Sequence, residues 1–255
     1  MPDIEALAAL LDDAAQRGTA VPQLSATTPL SLADAYAIQH ANVGRRLARG
    51  ERLVGIKMGL TSRAKALQMG VSDLIFGRLT DRMIIEDGGA LDCGRYAHPR
   101  VEPELAFLLK APLSGTVTPL QALAAVEAIA PAMEVIDSRY ENFRFSLTDV
   151  VADNSSSAGF VVGPWHRPDI DFSNLGMVMS FDGRPVQIGS SAAIMGHPLR
   201  SLVTAARMVA AEGGRLEPGW VVMAGGATAA EPLSPKLYVE TEVQHLGRVA
   251  FNVRE

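Results

Sequence analysis

Glu102-Pro103-Glu104 stands at the start of the strand-like run Glu104-Leu105-Ala106-Phe107-Leu108-Leu109, and Glu134, in Met133-Glu134-Val135-Ile136-Asp137, adds a third acid in a second short run, Ala132 to Ile136. Alternation along a strand sends residues two apart to the same face, so Glu102 and Glu104 project side by side, roughly 7 Å apart at the backbone. Val101, Leu105, Phe107 and Leu109 fall on the other face and enter a core. A Glu-x-Glu on a half-exposed strand is ordinarily its solvated side, and two details argue for more. Pro103 lacks a backbone donor and belongs on an edge strand or at a bulge, which places the pair beside an opening. Glu134 stands among apolar neighbours, where an unpaired carboxylate is costly. Three carboxylates without a nearby His or Cys cluster form an all-oxygen set. Such a set suits Mg2+ or Mn2+ better than zinc or copper, and leaves positions open for water or substrate.

Further short strands with turn signals follow the same pattern beyond residue 76. They are Gly159 to Val162, Leu175 to Phe181, Pro185 to Gly189, Trp220 to Ala224, Lys236 to Val243 and Arg248 to Val253, with Asp182-Gly183 as a hairpin turn. Two helices interrupt them: Pro119 to Ile129, capped by Thr118, and Pro198 to Glu212, ended by Gly213-Gly214. Before residue 76 the chain reads as helical. Ile4, Leu7, Leu10 and Leu11 recur at helical spacing until Gly18, and Ser31 to Asp34 open a second helix with a capping box, running to about Gly50. Leu53 to Met58 reads as a short buried strand, followed by a polar turn at Thr61 and Ser62 and a helix ending near Gly70. The expected architecture is therefore α+β, with a helical amino-terminal cap over residues 1–75 and a strand-rich catalytic domain, a mixed roll or barrel, over residues 76–255. No Gly-x-Gly-x-x-Gly leads a strand into a helix, which argues against a dinucleotide-binding unit.

At 255 residues and 48% apolar content the chain has ample material for a large core. A net charge of -5 with scattered basic residues gives no footprint for nucleic acid. Arg45, Arg46 and Arg49, the densest basic cluster, fall at the end of the second helix, where positive charge suits the dipole. No apolar stretch is long enough to cross a bilayer, and the acidic amino terminus is unlike a secretory signal. A single cysteine, Cys93, fits a reducing compartment, so a cytoplasmic location is expected.

Several separated blocks, in order, resemble the fumarylacetoacetate hydrolase superfamily. They are Gly55-Ile56-Lys57-Met58-Gly59-Leu60-Thr61-Ser62, His98-Pro99-Arg100-Val101-Glu102-Pro103-Glu104-Leu105-Ala106-Phe107, Pro131 to Arg139, Val151 to Gly159 and Gly225-Gly226-Ala227-Thr228-Ala229-Ala230. More narrowly, the chain looks like the branch that holds the decarboxylases and hydratases of aromatic meta-cleavage pathways. The resemblance implies a strand-rich roll and a divalent metal held by Glu102, Glu104 and Glu134. It also implies that Lys57 reaches a 2-oxo dicarboxylate substrate.

The activity implied is metal-dependent decarboxylation of 2-oxo-3-hexenedioate, with hydration of 2-hydroxypentadienoate as the alternative. Hydratases of this branch commonly carry Pro-Asp-Phe-Gly, whereas this chain has Leu74-Ile75-Phe76-Gly77, with Ile75 in place of the acid. Asp153 and Ser156, in the polar run after the fourth block's start, are implied substrate contacts. Gly226 would let a backbone amide approach an anion, Thr228 would supply a hydroxyl, and Arg100 is a candidate for the distal carboxylate. A homo-oligomer and a complex with a pathway hydratase are the expected associations, a weakly active partner of such a hydratase being a further alternative.

Overall fold

The computed structural model describes residues 2–61 and 73–255, and the helix expected to end near Gly70 lies outside them. Two helices open the chain, α1 (Ile4–Arg17) and α2 (Leu32–Ala48). Gly18 ends α1 in the left-handed conformation, and Ser31 with Asp34 forms a reciprocal capping box on α2. There follow β1 (Leu53–Gly59), β2 (Ile75–Thr80), β3 (Ile84–Ile85), β4 (Ala90–Asp92), β5 (Arg100–Leu109), α3 (Pro119–Ala124), β6 (Val126–Ile136), α4 (Leu147–Ala152) and β7 (Ser157–Val162). The remainder is β8 (Gly176–Phe181), β9 (Arg184–Ser190), α5 (Pro198–Ala211), β10 (Val221–Met223), β11 (Glu231–Pro232), β12 (Tyr238–Val243) and β13 (Gly247–Arg254).

An eight-stranded mixed sheet runs β2-β1-β10-β5-β6-β7-β3, with β11 added to β5, and a five-stranded sheet runs β4-β13-β12-β8-β9. Met133, Val135 and Val161 of the first sheet meet Met179, Val239, Val249, Phe251 and Val253 of the second in one buried cluster. The helices bury their apolar faces elsewhere. Ala8, Leu11, Ala35 and Ile38 share a core with Ile56, Met58 and Phe76, and Tyr36 stacks on Phe76 with ring centroids 5.1 Å apart. Because β1 pairs with both β2 and β10, the sheet draws strands from either side of residue 75 and runs through the boundary expected from sequence. This is the α+β roll with amino-terminal helices.

Two local expectations are corrected. The helix after Thr118 stops at Ala124, and residues 126–129 join β6, where Val126 pairs with Leu109 and Ile129 with Phe107. Those apolar residues suit either element, and pairing with β5 decides. Second, β5 is an interior strand, flanked by β6 on one side and by β10 and β11 on the other. Pro103 is accommodated because its carbonyl accepts from Ala227 N (2.9 Å) on the side where β10 has ended and β11 has not begun. The missing donor thus falls in a break of the neighbouring ladder. Both Glu102 and Glu104 are buried, as expected of ligands rather than of a solvated strand face.

The arginine cluster on α2 joins the two helices. Asp12 of α1 is fully buried and accepts from Arg45 Nε (3.0 Å) and from Arg49 through both nitrogens (2.6 and 2.7 Å). Burial alone would raise its pKa, but the two guanidiniums outweigh that and hold it below the ordinary value. A depressed folded-state pKa means stability that is present at neutral pH and lost as pH falls through the carboxylate range. Asp12→Ala should therefore lower unfolding free energy by about 1–3 kcal/mol at pH 7, with the difference from the parent narrowing in acid. Chemical denaturation at pH 7 and pH 3.5 checks this, and an equal difference at both would refute it.

Candidate active site

β5 and β6 are antiparallel with Glu102 directly opposite Glu134 and Glu104 opposite Ala132. Directly opposite residues share a face, so the register alone brings three carboxylates together. One oxygen from each lies within 4.8 Å of the others. Glu104 and Glu134 are fully buried and Glu102 nearly so. Lys57 enters from β1, whose neighbour β10 separates it from β5, and its Nζ lies 3.0 Å from Glu134 Oε1 and 3.2 Å from Oε2. Lys57 is 3% exposed, so the ion pair is shielded from solvent.

Among the described residues, three acids face one ammonium, that of Lys57. Burial first, then Glu134 and Glu102, push the pKa of Glu104 well above the usual carboxylate range, against the pull of Gly225 N–H and Lys57. Gly225 N donates to Glu104 Oε2 at 2.7 Å. Glycine is required there: φ is +108°, and a Cβ would stand 2.1 Å from Thr61 Oγ1. The other oxygen, Glu104 Oε1, is buried without a hydrogen-bond partner among the described residues. An orphaned carboxylate oxygen facing two further carboxylates, with only oxygen donors present, fits a hard divalent cation.

A cavity of about 330 Å³ opens on this cluster, lined by Lys57 and Glu102 and by the apolar side chains of Ile75, Ile136, Val150, Phe143 and Phe145. Arg100 also reaches it, with its guanidinium 4.5 Å from the centroid of the Phe143 ring. Ser155 and Ser156 complete the wall from a turn in which Asn154, Ser155 and Ser156 all have positive φ (48°, 54° and 59°). Three such residues in succession are strained unless the surroundings hold them. Here Asn154 bonds both the amide and the carbonyl of Arg78, and Ser155 Oγ donates to Phe76 O at 2.8 Å. Gly77 lets β2 come this close, since a Cβ would lie 2.5 Å from Asn154 O. Arg139, buried, bonds the carbonyls of Asp137, Asp153 and Ser157.

The site residues expected from sequence thus divide. Glu102, Glu104, Glu134, Lys57, Ser156 and Arg100 converge, and Ser156 Oγ is buried with no partner. Asp153 does not reach the cavity; its carboxylate is bound by Arg139 Nε and N, and burial pushes its pKa up to about 6 against that pull. It anchors the strained turn. Gly226 is buried in the loop after β10, where the amide that reaches the site is that of Gly225. Thr228 donates to Ala229 O (3.0 Å), and Ala229 and Ala230 form the wall there. Sequence reasoning missed the Asn142 to Phe145 wall and the role of Arg139. Two phenylalanines close together in a stretch otherwise polar were the available signal.

The fumarylacetoacetate hydrolase C-terminal family matches residues 56–254, and the chain belongs to this family. It is 58% identical over 249 residues to 4-oxalocrotonate decarboxylase of a Pseudomonas species, covering 98% of this chain and 97% of that one. The solved structure of 4-oxalocrotonate decarboxylase from Pseudomonas putida G7, complexed with magnesium and adipate, superposes with a TM-score of 0.95 at 39% identity, covering 98% and 97% of the two chains. A 2-keto-4-pentenoate hydratase of Paraburkholderia xenovorans LB400 is 35% identical over 249 residues, covering 96% and 93%.

Replacing Glu104 by Gln keeps the shape, lets the amide oxygen accept from Gly225 N, and removes one of three mutually repelling charges. Because the pKa of Glu104 is raised by folding, its contribution to stability is lost as pH rises above the ordinary carboxylate range. Metal-free Glu104→Gln should therefore melt a few degrees higher than the parent at pH 7 and gain little from added Mg2+. Thermal melts with EDTA and with Mg2+ check both halves; a variant that melts lower in EDTA yet is stabilised by Mg2+ like the parent would refute the charge argument.

Proposed function

We propose that this protein is a divalent-metal-dependent carboxy-lyase that converts 2-oxo-3-hexenedioate (4-oxalocrotonate) to 2-hydroxypenta-2,4-dienoate during meta-cleavage catabolism of aromatic compounds. The observation that carries the reading is three buried carboxylates within reach of one ion, opening on a cavity whose described walls hold the Lys57 ammonium and, among apolar residues, the Arg100 guanidinium. The 58% identical relative bears that activity's name, and adipate in the P. putida G7 structure is, like this substrate, a six-carbon dicarboxylate.

Magnesium or manganese held by Glu102, Glu104 and Glu134 would supply Lewis acidity at the 2-oxo acid end of the substrate. The remaining roles belong to the chain. Breaking the bond to the distal carboxyl group releases carbon dioxide and moves its electron pair through the double bond toward the keto oxygen. Lys57 donates to the oxygen where that charge collects, and in a buried site such a donor acts with little screening. Ser156 Oγ, buried and unpartnered, orients the substrate from the turn. Arg100 fixes the distal end, and Ile75, Val150 and Phe145 exclude water from the bond that breaks. The reading includes a cytoplasmic homo-oligomer and a complex with a pathway hydratase.

Hydration is the second reading, favoured by the 35% identical relative. Ile75 counts against it. This side chain is 3% exposed on the cavity wall and can neither give nor take a proton where water would be added.

Purified protein with Mg2+ should release carbon dioxide from 2-oxo-3-hexenedioate, and EDTA should stop it. Rapid conversion of 2-hydroxypentadienoate to 4-hydroxy-2-oxopentanoate at a comparable rate would instead make the protein a hydratase, and product formed only after a hydratase is added would make it a partner subunit. Lys57→Met should reduce kcat by about 100-fold or more while Mg2+ still binds, since only the donor is removed. Near-parental turnover in Lys57→Met would eliminate the assigned role.

A further inference from the structure

Away from the carboxylate cluster, a second cavity of about 520 Å³ is walled by Arg46, Arg49, Arg82 and Arg95 together with Glu51 and Tyr96. It is larger than the cavity at the active site. The four guanidiniums come from three separate segments: the last turn of α2 and the residue after it, the turn between β2 and β3, and the turn between β4 and β5. Two of them have protein partners. Arg46 pairs with Glu51 at 3.4 Å and Arg49 with the buried Asp12 at 2.6 Å. Arg82 and Arg95 have neither a hydrogen-bond nor an ion-pair partner among the described residues, and both are exposed at the cavity. Among the described residues the cavity lining carries four guanidiniums and one carboxylate, Glu51; Asp12 behind it is shared by Arg45 and Arg49, and Asp81 lies close enough to Arg82 to feel its charge, so the lining keeps a positive surplus.

A helix carboxyl end explains Arg46 and Arg49 but not Arg82 and Arg95, which arrive from turns between strands. The last carbonyls of α2 are moreover already satisfied by the amides of Arg49, Gly50 and Glu51. Tyr96 adds a neutral donor, because burial raises its pKa and keeps the phenol protonated. Planar guanidiniums converging on a concave, mostly polar space match the tetrahedral oxygens of a phosphate, and a phosphate dianion balances the surplus charge.

We propose that this basic cavity binds a small phosphate-bearing anion at a site separate from the active site. Free phosphate and phosphate monoesters share the recognising chemistry, and the volume leaves room for an organic portion.

The test is equilibrium dialysis of the full-length protein in Mg2+, at constant ionic strength, with radiolabelled inorganic phosphate as the probe and glycerol 2-phosphate as competitor. Saturable binding of about one phosphate per chain is expected, weakened roughly tenfold or more in the double variant Arg82→Gln/Arg95→Gln and retained in Glu104→Gln. Decarboxylation by the double variant should stay at the parental rate, which also reports that it is folded. If glycerol 2-phosphate competes below the concentration at which phosphate itself binds, the ligand is a phosphorylated metabolite; the reverse order points to free phosphate. Non-saturable uptake, undiminished binding by the double variant, or loss of binding in Glu104→Gln would overturn the proposal, the last by moving the anion to the carboxylate centre. Failure here leaves the assigned reaction untouched, because none of these arginines lines the active-site cavity.

Discussion

The register of β5 against β6 is the constraint on which the rest depends. With Glu102 opposite Glu134, a like-charge cross-strand pair sits inside a sheet, and Glu104 adds a third carboxylate two residues along. Such a pair is unfavourable even on an exposed face, and burial removes the water that would screen it. A one-residue slip would turn Glu102 and Glu104 to the opposite face of the sheet and push Val101 and Leu105 out of the core. The apolar packing therefore holds the acids in place, and the electrostatic strain is carried by the stability of the whole roll. Among the described residues, Lys57 and the Gly225 amide relieve part of it.

A second layer of strain surrounds the first. The turn from Asn154 to Ser156 keeps three residues in the left-handed region, and Leu60, Asn142 and Phe143, also on the cavity wall, have positive φ as well. The serine turn and the elements beside it are held by contacts outside the cavity. Arg139 joins three carbonyls and the Asp153 carboxylate, Gln39 of α2 bonds the carbonyls of Phe76 and Val151, and Asp149 accepts from Ser25 and Ser146. The amino-terminal helices thus do more than cover the sheet. Through Gln39 they brace β2 and α4, the two elements between which the serine turn is suspended.

Local chemistry made much of this legible in the sequence. Capping boxes at Ser31 and Thr118, the glycine after α1, the Asp182-Gly183 hairpin and the long alternating strands all formed because adjacent residues suffice to specify them. The misreadings share a different cause. Residues 126–129 became strand because β5 was available to pair, and Pro103 lay inside the sheet because the neighbouring ladder breaks beside it. Asp153 looked like a ligand contact since a polar run beside glycine has no visible partner, and Arg139, which captures it, is separated from it by the whole of α4. The acids were findable because residue type restricts chemistry; the aromatic wall left only a weak signal, Phe143 and Phe145 in an otherwise polar stretch, since a phenylalanine carries no sign of which surface it will face.

The polarity of the cavity bears on why this site would lose carbon dioxide rather than add water. Glu102 and Lys57 share its wall with Ile75, Ile136, Val150, Phe143 and Phe145, and Arg100 lies over the Phe143 ring. A carboxylate bound among such apolar side chains would keep little water, so the neutral gas it becomes would lose less by leaving its charge behind. Water addition would need a titratable group within reach of the carbon that takes up water, and Ile75 gives this wall a side chain that can neither donate nor accept a proton.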